Sequence, residues 1–565
     1  MLILILGLTS TGIELMSENL SKLAARKGLE DPLFEKLVSI SKEKRTPDPN
    51  EMRSLAKEFL VGNANVYGTV SFYDFLKAEH QSKKIYVCNG SACLVAGTQG
   101  ELKNTLSKHF KEEEIGHMCC LGRCHENNAF HYEGKNYSGK HGLEIEAVLN
   151  NKGINIDAYH VRSNLKDPIL TNPYPEEKLF FDFVRECLKK DKDQLLSEIK
   201  KSNVRGRGGA GFPMGLKLES CKNVPGEQKF VVCNADEGDP GAYSDRYLLE
   251  KQPHLLLFGM LIAGYIIGSN RGVIYIRGEY PESIVAIKKE IDKWEKQGVL
   301  GENINSSGFD FRFKIIEGAG AYICGEETAL LSSIEGQRPE VRVRPPYPTQ
   351  EGLFSMPTVV NNVETSATLY YILKHGGEKY ASLGTGKSTG SKLVCLDSLF
   401  NNPGMYEIEM GTPLSVVVND FGKGFKKKVK AIHVGGPLGG IVPVEKIDSL
   451  TLDFESFASN GFLLGHAGVV SIPEDFPMIA YLEHLFEFTA AESCGKCFPC
   501  SIGSVRGKEL LQKAQQDDYK IDRQLMDDLL ETLEIGSLCA LGGGLPLGIK
   551  NALKYFDKEL KSYFV

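Results

Sequence analysis

Three thiols at two-residue spacing constrain this chain more than any other feature: Cys494-Gly-Lys-Cys497-Phe-Pro-Cys500. A loop so spaced wraps three thiolates around one face of a cubane. A fourth ligand has to come from elsewhere, and downstream of the loop the sequence offers one cysteine, Cys539 in Ser-Leu-Cys-Ala-Leu-Gly. Four thiolates are what a 4Fe–4S cluster needs. A structural zinc site also takes four cysteines, but it more often uses two separated pairs.

Near the other end, Cys88-Asn-Gly-Ser-Ala-Cys93 and Cys120-Leu-Gly-Arg-Cys124 form two separated pairs on turns. Two irons bridged by sulfide need two thiolates each, so the pairs suit a 2Fe–2S cluster. A zinc site or a redox disulfide is the alternative. Cys119 competes with Cys120, which is preferred because it leaves three residues before Cys124. These clusters take up eight of the 14 cysteines. The apolar start, Met1 to Leu6, is too short to span a bilayer and lacks the flank and cleavage site of a secretory signal. A reducing, cytoplasmic setting is expected, where clustered cysteines mean metal or redox chemistry. The first fifteen residues read equally as an over-extended start before Met16 or as a short tail.

The chain is long enough for several domains, and its 42% hydrophobic and 25% charged residues are those of a soluble globular protein. A net charge of −7 without a broad basic stretch argues against nucleic-acid binding. Residues 16–80 read as helices, with Leu20, Leu23, Leu33, Leu37 and Leu60 among charges. A strand signal at Lys84–Val87 opens a small α/β unit ending in Gly134, Gly139 and Gly142. Residues 150–175, with Pro168, Pro173 and Pro175, read as a linker. Beyond about 178, short β runs (Phe230–Cys233, Val273–Ile276) alternate with helical stretches such as Ile284, Ile287, Ile291 and Trp294, which predicts a mostly parallel sheet. Between 391 and 470 lie four β runs, Lys392–Leu396, Leu414–Val418, Ala431–Val434 and Gly468–Ile472, predicting a compact β-rich domain. From Phe476 the pattern is helical again.

Glycine loops lie between the cysteine clusters. Arg205-Gly-Arg-Gly-Gly-Ala-Gly-Phe-Pro213 holds four glycines within six residues, so backbone N–H groups can approach a phosphate or flat ring, and Lys217 follows. Asn234-Ala-Asp-Glu-Gly-Asp239 follows a strand, where open α/β sheets bind ligands. Gly318-Ala-Gly-Ala-Tyr-Ile-Cys-Gly-Glu-Glu327 repeats strand, glycine turn and acidic residues opening a helix. For one of those acids, complementing the helix N-terminus is an equally good reading. The usual GxGxxG fingerprint in a βαβ setting is missing, so a standard Rossmann NAD site is not predicted.

Together these residues resemble the flavin-bearing, NADH-oxidising subunit of respiratory complex I and its counterparts in NAD-linked hydrogenases and formate dehydrogenases. Residues 205–217, 233–246, 318–328, 344–348, 358–365 and 492–500 with Cys539 carry the likeness. Residues 16–140, including Val66-Tyr-Gly-Thr-Val-Ser-Phe-Tyr73, resemble the small thioredoxin-like 2Fe–2S subunit, here fused. The implied fold class is α/β multidomain. Its parts are an N-terminal helical segment (1–80), a thioredoxin-like 2Fe–2S domain (81–155) and a Rossmann-like FMN- and NADH-binding domain (176–390). A ubiquitin-like (SLBB-type) β-rich domain (391–475) and a helical 4Fe–4S domain (476–565) complete it. Gly206, Gly208, Gly209 and Lys217 would hold the phosphate side of FMN. Asn234, Asp236, Glu237, Tyr322, Gly325, Glu326, Asn361 and Asn362 would surround the rest. Phe212 would stack on adenine, and Asp239, Glu327 and Arg344 would contact NADH, with Tyr322 and Glu327 as the catalytic pair. Cys88, Cys93, Cys120 and Cys124 would ligate the 2Fe–2S cluster; Cys494, Cys497, Cys500 and Cys539 the 4Fe–4S cluster.

Some positions depart from the family pattern. Asp239 stands where Glu is frequent, Arg344 where Lys is common, and Ser220 where a second aromatic is expected. NAD(H) is favoured over NADP(H), because an acidic group near the ribose repels a 2′-phosphate. Residues 434–439, 465–468 and 502–507 look closest to the formate dehydrogenase branch, which is placed ahead of the soluble nickel–iron hydrogenase branch. The expected partners are an iron–sulfur subunit and a catalytic subunit carrying molybdenum or nickel–iron, with no membrane insertion. A non-catalytic iron–sulfur assembly or sensor subunit is the reading from another class.

Overall fold

The computed structural model describes residues 28–44, 46–139, 144–150, 159–516 and 518–565. The apolar start, Met16, Leu20, Leu23 and Gly142 lie outside them. Three helices, Leu33–Lys44, Pro49–Phe59 and Asn63–Val70, come first. Asp48 caps the second through the amides of Asn50 and Glu51, and Leu60 ends it in a left-handed conformation. Four short strands follow: β1 (Ile85–Cys88), β2 (Ile115–Met118), β3 (Phe130–Tyr132) and β4 (Lys135–Tyr137). They form a sheet ordered β2-β1-β3-β4, with β1 and β2 parallel.

The next strand, β5 (Val161–Ser163), lies within the stretch expected to be a linker. It pairs in parallel with β11 (Gly404–Glu409), so this polar segment is built into the later β-rich sheet. A three-residue strand is too short to announce itself by alternation, and only its partner reveals it.

The centre of the molecule is a parallel sheet of β6 (Phe230–Ala235), β7 (Arg271–Ile276), β8 (Arg312–Glu317) and β9 (Thr358–Asn362), ordered β8-β7-β6-β9. The two inner strands, β6 and β7, are almost wholly buried and apolar on both sides, as the interior of a parallel sheet demands, while the edge strand β8 carries Arg312, Lys314 and Glu317. Val231, Cys233, Ile274 and Val359 face the main core, which contains the helix Pro253–Ile267. Val232, Val273, Tyr275 and Val360 face a second core. That second core is completed by Phe34, Leu37, Val66, Val70 and Tyr73, so the N-terminal helices roof one face of the sheet. Tyr73 Oη donates to Ser333 Oγ at 2.7 Å beneath this roof.

Gly259 is where the helix Pro253–Ile267 crosses the helix Val363–His375. A Cβ there would stand 1.9 Å from the Ser366 carbonyl oxygen. The absent side chain lets the two helices close, and this fixes Asn362, which caps the second helix through the Thr365 amide.

The β-rich sheet comprises β5, β10 (Ser391–Leu396), β11, β12 (Val429–Val434), β13 (Gly440–Pro443) and β14 (Gly468–Pro473), ordered β13-β12-β14-β10-β11-β5. The run expected as a strand at Leu414–Val418 is helical instead: Leu414–Val416 leads into a π-type turn, Val417–Phe421. Pro413 directs the chain into it, and the buried Leu414, Val417 and Val418 recur at three- and four-residue steps, not at two.

The C-terminal part contains the helices Met478–Glu492, Ser504–Gln516, Arg523–Gly536 and Ala540–Tyr555. The triple-cysteine loop joins the first two, and Cys539 immediately precedes the last. Among the described residues no helix is long and apolar enough to cross a membrane.

Candidate flavin and nucleotide cleft between two cysteine clusters

In the central sheet the strand order reverses at β6, and a cleft of about 1010 Å³ opens beyond the C-terminal ends of β6 and β9. This is where open α/β sheets bind ligands. Gly208, Gly209, Phe212, Lys217, Asn234, Asp236, Glu237, Asp239, Tyr322, Gly325, Glu326, Glu327, Arg344 and Asn362 all line it. Gly206 and Asn361 do not. Gly206 closes the neck of the glycine loop, its N–H donating to the Phe212 carbonyl at 2.9 Å. Asn361 alternates with its lining neighbours Val360 and Asn362 along β9.

The glycine loop brings backbone close to the cleft. A Cβ on Gly208 would meet Asn362 Cβ at 3.0 Å, and Gly209 and Gly211 have φ of 128° and 62°. Arg207, within this loop, is buried. It donates through Nη2 to Tyr380 Oη at 3.0 Å and to the Thr389 carbonyl at 2.5 Å. Its Nε and Nη1 have no hydrogen-bond partner among the described residues. This buried guanidinium sets a positive charge behind the amides of the glycine loop, an arrangement suited to an anion. Lys217 Nζ donates to the Val360 carbonyl at 2.9 Å and lies 3.7 Å from Glu327.

The two adjacent glutamates have different tasks. Glu326 is the N-cap of the helix Glu327–Ile334, its Oε2 accepting from the amides of Thr328 at 2.8 Å and Ala329 at 2.9 Å. Glu327 instead stands 3.0 Å from Arg344 Nη1. Asn234 donates to the Gly325 carbonyl at 2.7 Å and joins the end of β6 to this turn. Glu237 is gripped by the amides of Asp245 and Arg246 and the Ser244 hydroxyl. Burial raises its pKa against these bonds, and raises that of Asp236 well above the usual carboxylate range.

Asp239 accepts from Tyr322 Oη at 2.6 Å and lies 3.6 Å from His466 Nε2. His466 reaches the cleft from the turn before β14. Its Nδ1 accepts from the Gly468 amide, so the hydrogen of the neutral ring sits on Nε2. The Tyr322 amide donates to Glu492 at 2.9 Å, and burial lifts Glu492 to about 7. Ser220 lines the cleft and contacts Thr349 Oγ1 at 3.1 Å.

Sequence reasoning missed Arg207, His466 and Asp245. Arg207 carried a signal, a charge inside a glycine loop. His466 carried none beyond its neighbouring glycines. Asp245 becomes a cleft residue because Asn362 Nδ2 donates to it at 2.5 Å.

All fourteen cysteines are free thiols. Cys494, Cys497, Cys500 and Cys539 fall in one cluster with Ile323, Phe488 and Leu541. Burial and the neighbouring cysteines push the Cys500 thiol to about 11, and burial with Glu326, Cys500 and Cys494 nearby pushes Cys539 to about 12. Among the described residues no three His, Cys, Asp or Glu side chains converge as they would on one metal ion. A four-iron cluster takes one thiolate per iron, so its ligands stand apart around a larger volume. Cys539 also lines the cleft.

At the other site Cys88, Cys93, Cys120 and Cys124 are all buried. Cys120 and Cys124 Sγ are 3.6 Å apart. The Cys124 thiol is raised by its bond to Cys120 and by burial, with Cys93 and Cys88 adding to it, so the four are neighbours. The Cys88 thiol is lowered to about 7, first by Cys93 and then by the amides of Gly90, Leu121 and Cys120. The Gly241 amide, from the cleft side, donates to Cys124 Sγ at 3.2 Å. Such N–H···S bonds are what bound cluster thiolates receive. Cys119 also packs toward the C-terminal cysteine cluster, whereas Cys120 is the one whose sulfur lies beside that of Cys124.

Three family descriptions match the chain: the Nuo51 FMN-binding domain over 199–371, the NADH-ubiquinone oxidoreductase-F iron-sulfur binding region over 480–563, and the thioredoxin-like [2Fe-2S] ferredoxin over 21–152. The NADP-reducing hydrogenase subunit HndC of Solidesulfovibrio fructosivorans is 41% identical over 373 residues, covering 66% of this chain and 76% of that protein. The mitochondrial NADH dehydrogenase [ubiquinone] flavoprotein 1 of Dictyostelium discoideum is 34% identical over 411 residues, 70% of this chain and 86% of its own length. The crystal structure of an NAD+-reducing [NiFe]-hydrogenase in the H2-reduced state matches 94% of this chain and 93% of its own, with a TM-score of 0.82 and 27% identity.

Proposed function

This chain belongs to the family of NADH-oxidising flavin/iron–sulfur subunits, fused to a thioredoxin-like 2Fe–2S domain, and on that premise we propose that it is the diaphorase of an NAD-linked hydrogenase complex. Bound FMN supplies the exchange between a hydride pair on the nicotinamide and single electrons, which iron–sulfur clusters carry. The chain's own residues bind and orient. Arg207, Lys217 and the glycine-loop amides hold the flavin phosphate. Asn234, Glu237 and Asn362 fix the cleft floor. Phe212 stacks on adenine, and Glu327 and Arg344 hold the ribose side of NAD(H). Tyr322 and Asp239 hold each other beside the reacting centre. The five-domain division at 80, 155, 176, 391 and 476 belongs to the same proposal.

The observation carrying this reading is that Cys539 borders the same cleft as Lys217, Asn234 and Glu327. A cluster held by Cys539 and the triple-cysteine loop would lie beside this cleft and would supply one-electron chemistry there. Around these cysteines Phe498, Ile502, Ile535 and Leu538 are exposed, and Cys497 and Cys539 are themselves only partly buried. This apolar rim suits an iron–sulfur partner that takes the electrons onward. Hydrogenase is placed first because the likeness to the NAD+-reducing hydrogenase runs nearly end to end. Residues 434–439, 465–468 and 502–507 favour formate dehydrogenase as the second reading.

The purified protein is expected to reduce viologen with NADH. Cys539→Ser should keep NADH-dependent bleaching of the flavin but lose most viologen reduction. A variant with full viologen activity would sink the exit route. Identification of the co-purifying catalytic subunit by its nickel or molybdenum content separates the two complexes.

A further inference from the structure

Arg277, just past the end of β7, is 3% exposed and bridges the N-terminal cysteine site and the cleft. Its Nη1 donates to the carbonyls of Cys120 at 2.7 Å and Glu237 at 2.6 Å. Its Nη2 donates to the Cys119 carbonyl at 2.9 Å and to Glu279 Oε1 at 2.7 Å. One guanidinium thus holds the Cys119–Cys120 segment and the Glu237 cleft wall together. The contact is reinforced around it. Tyr280 Oη donates to the Glu237 carbonyl at 3.1 Å, and its ring lies 4.9 Å from the guanidinium. Gly122, with φ of 64°, leaves the room Tyr280 occupies: a Cβ there would stand 2.6 Å from the Tyr280 hydroxyl oxygen. Asn136, on β4, donates to the Glu279 carbonyl at 2.6 Å.

We propose that Arg277 is a positioning residue that clamps the 2Fe–2S ligand loop to the flavin cleft and, with Glu279, sets the reduction potential of that cluster. The proposal rests on Cys88, Cys93, Cys120 and Cys124 being the cluster's ligands. A fixed positive charge beside a centre that gains an electron favours the reduced form, and a fixed negative charge opposes it; burial leaves both charges poorly screened. Glu279 is 5% exposed, and its Oε2 has no partner among the described residues, so its charge is balanced mainly by Arg277. The guanidinium fork also matters: an ammonium cannot reach four acceptors spread over three chain segments.

The test is an EPR-monitored redox titration of the 2Fe–2S signal in the full-length, cluster-loaded protein, without NADH. Arg277→Met should lower the midpoint potential and Glu279→Gln raise it, each by about a tenfold change in the reduced-to-oxidised ratio at fixed potential, 59 mV for a one-electron couple. Arg277→Lys keeps the charge, so its potential should stay closer to wild type than that of Arg277→Met. Opposite shifts support the proposal, because mere loss of packing has no reason to reverse sign. Unchanged potentials in Arg277→Met and Glu279→Gln, or shifts in the same direction, overturn it. If Arg277→Met fails to fold, Glu279→Gln and Arg277→Lys still decide. Cys124→Ser separates the premise: loss of the signal upholds the ligand assignment, and its retention overturns that assignment and this proposal together.

Discussion

Glu326 and Glu327 are adjacent acids at a helix N-terminus, and their replacement should have separable consequences, one for helix stability and one for nucleotide binding. In Glu326→Ala the amides of Thr328 and Ala329 lose their acceptor. Loss of an N-cap costs about 1 kcal/mol, within ~0.5–2 kcal/mol, and at about 0.6 kcal/mol for RT that speeds local opening roughly fivefold. Glu327 makes no such bonds; it is paired at 3.0 Å with Arg344 and 3.7 Å from Lys217. Taking a charge-assisted hydrogen bond to a ribose hydroxyl as ~1.5–3 kcal/mol, Glu327→Ala should weaken NADH binding roughly 10- to 150-fold. Hydrogen exchange of the peptide spanning 326–335 and a binding titration with NADH read the two effects separately. The reasoning fails if Glu326→Ala weakens NADH as much as Glu327→Ala does while the exchange of that peptide is unaltered.

Ser220→Phe places an aromatic ring on the rim of the cleft that the half-exposed Phe212 also lines. An added stacking partner worth ~0.5–1.5 kcal/mol should tighten NADH binding about two- to tenfold, and an unchanged dissociation constant counts against adenine lying there. Gly259→Ala forces a methyl to within 1.9 Å of the Ser366 carbonyl unless the helices part. Overpacking of this kind costs ~1–3 kcal/mol or more, so both the melting temperature and the FMN content per chain should fall, the latter because Asn362 moves with its helix. Asp397, buried at the end of β10, is lifted to about 7 by desolvation against bonds from Ser471 and Leu399. Its folded pKa lies above its unfolded one, so its contribution to stability is full below about pH 4 and is lost as the pH rises through about 7. Asp397→Asn should flatten the fall in melting temperature across that window, and equal slopes for both proteins would refute the assignment.

Much of the site was legible because its signals are local. The triple-cysteine spacing, the glycine loop and the polar run after the strand Phe230–Cys233 each sit within a dozen residues, where periodicity and turn chemistry speak directly; Asn361 and Asn362 came only from the family resemblance. The failures are equally specific. Leu414–Val418 has a strand's composition, but its buried positions follow a helical step. Val161–Ser163 is a strand only because β11 lies beside it. Glu326 and Glu327 are indistinguishable until the helix start is known to one residue, and Asn361 and Asn362 until the face of β9 is known.

The linear order of residues therefore determined the chemistry on offer: eight clustered thiols, phosphate-sized glycine turns, acids at strand ends, and a central parallel sheet. Tertiary packing decided which groups meet. The N-terminal helices cover a face of the central sheet because a parallel sheet needs both faces buried, and nothing in their own pattern names that partner. His466 faces Asp239, and Arg277 ties the Cys120 loop to Glu237, across separations of more than a hundred residues that only a closed fold removes.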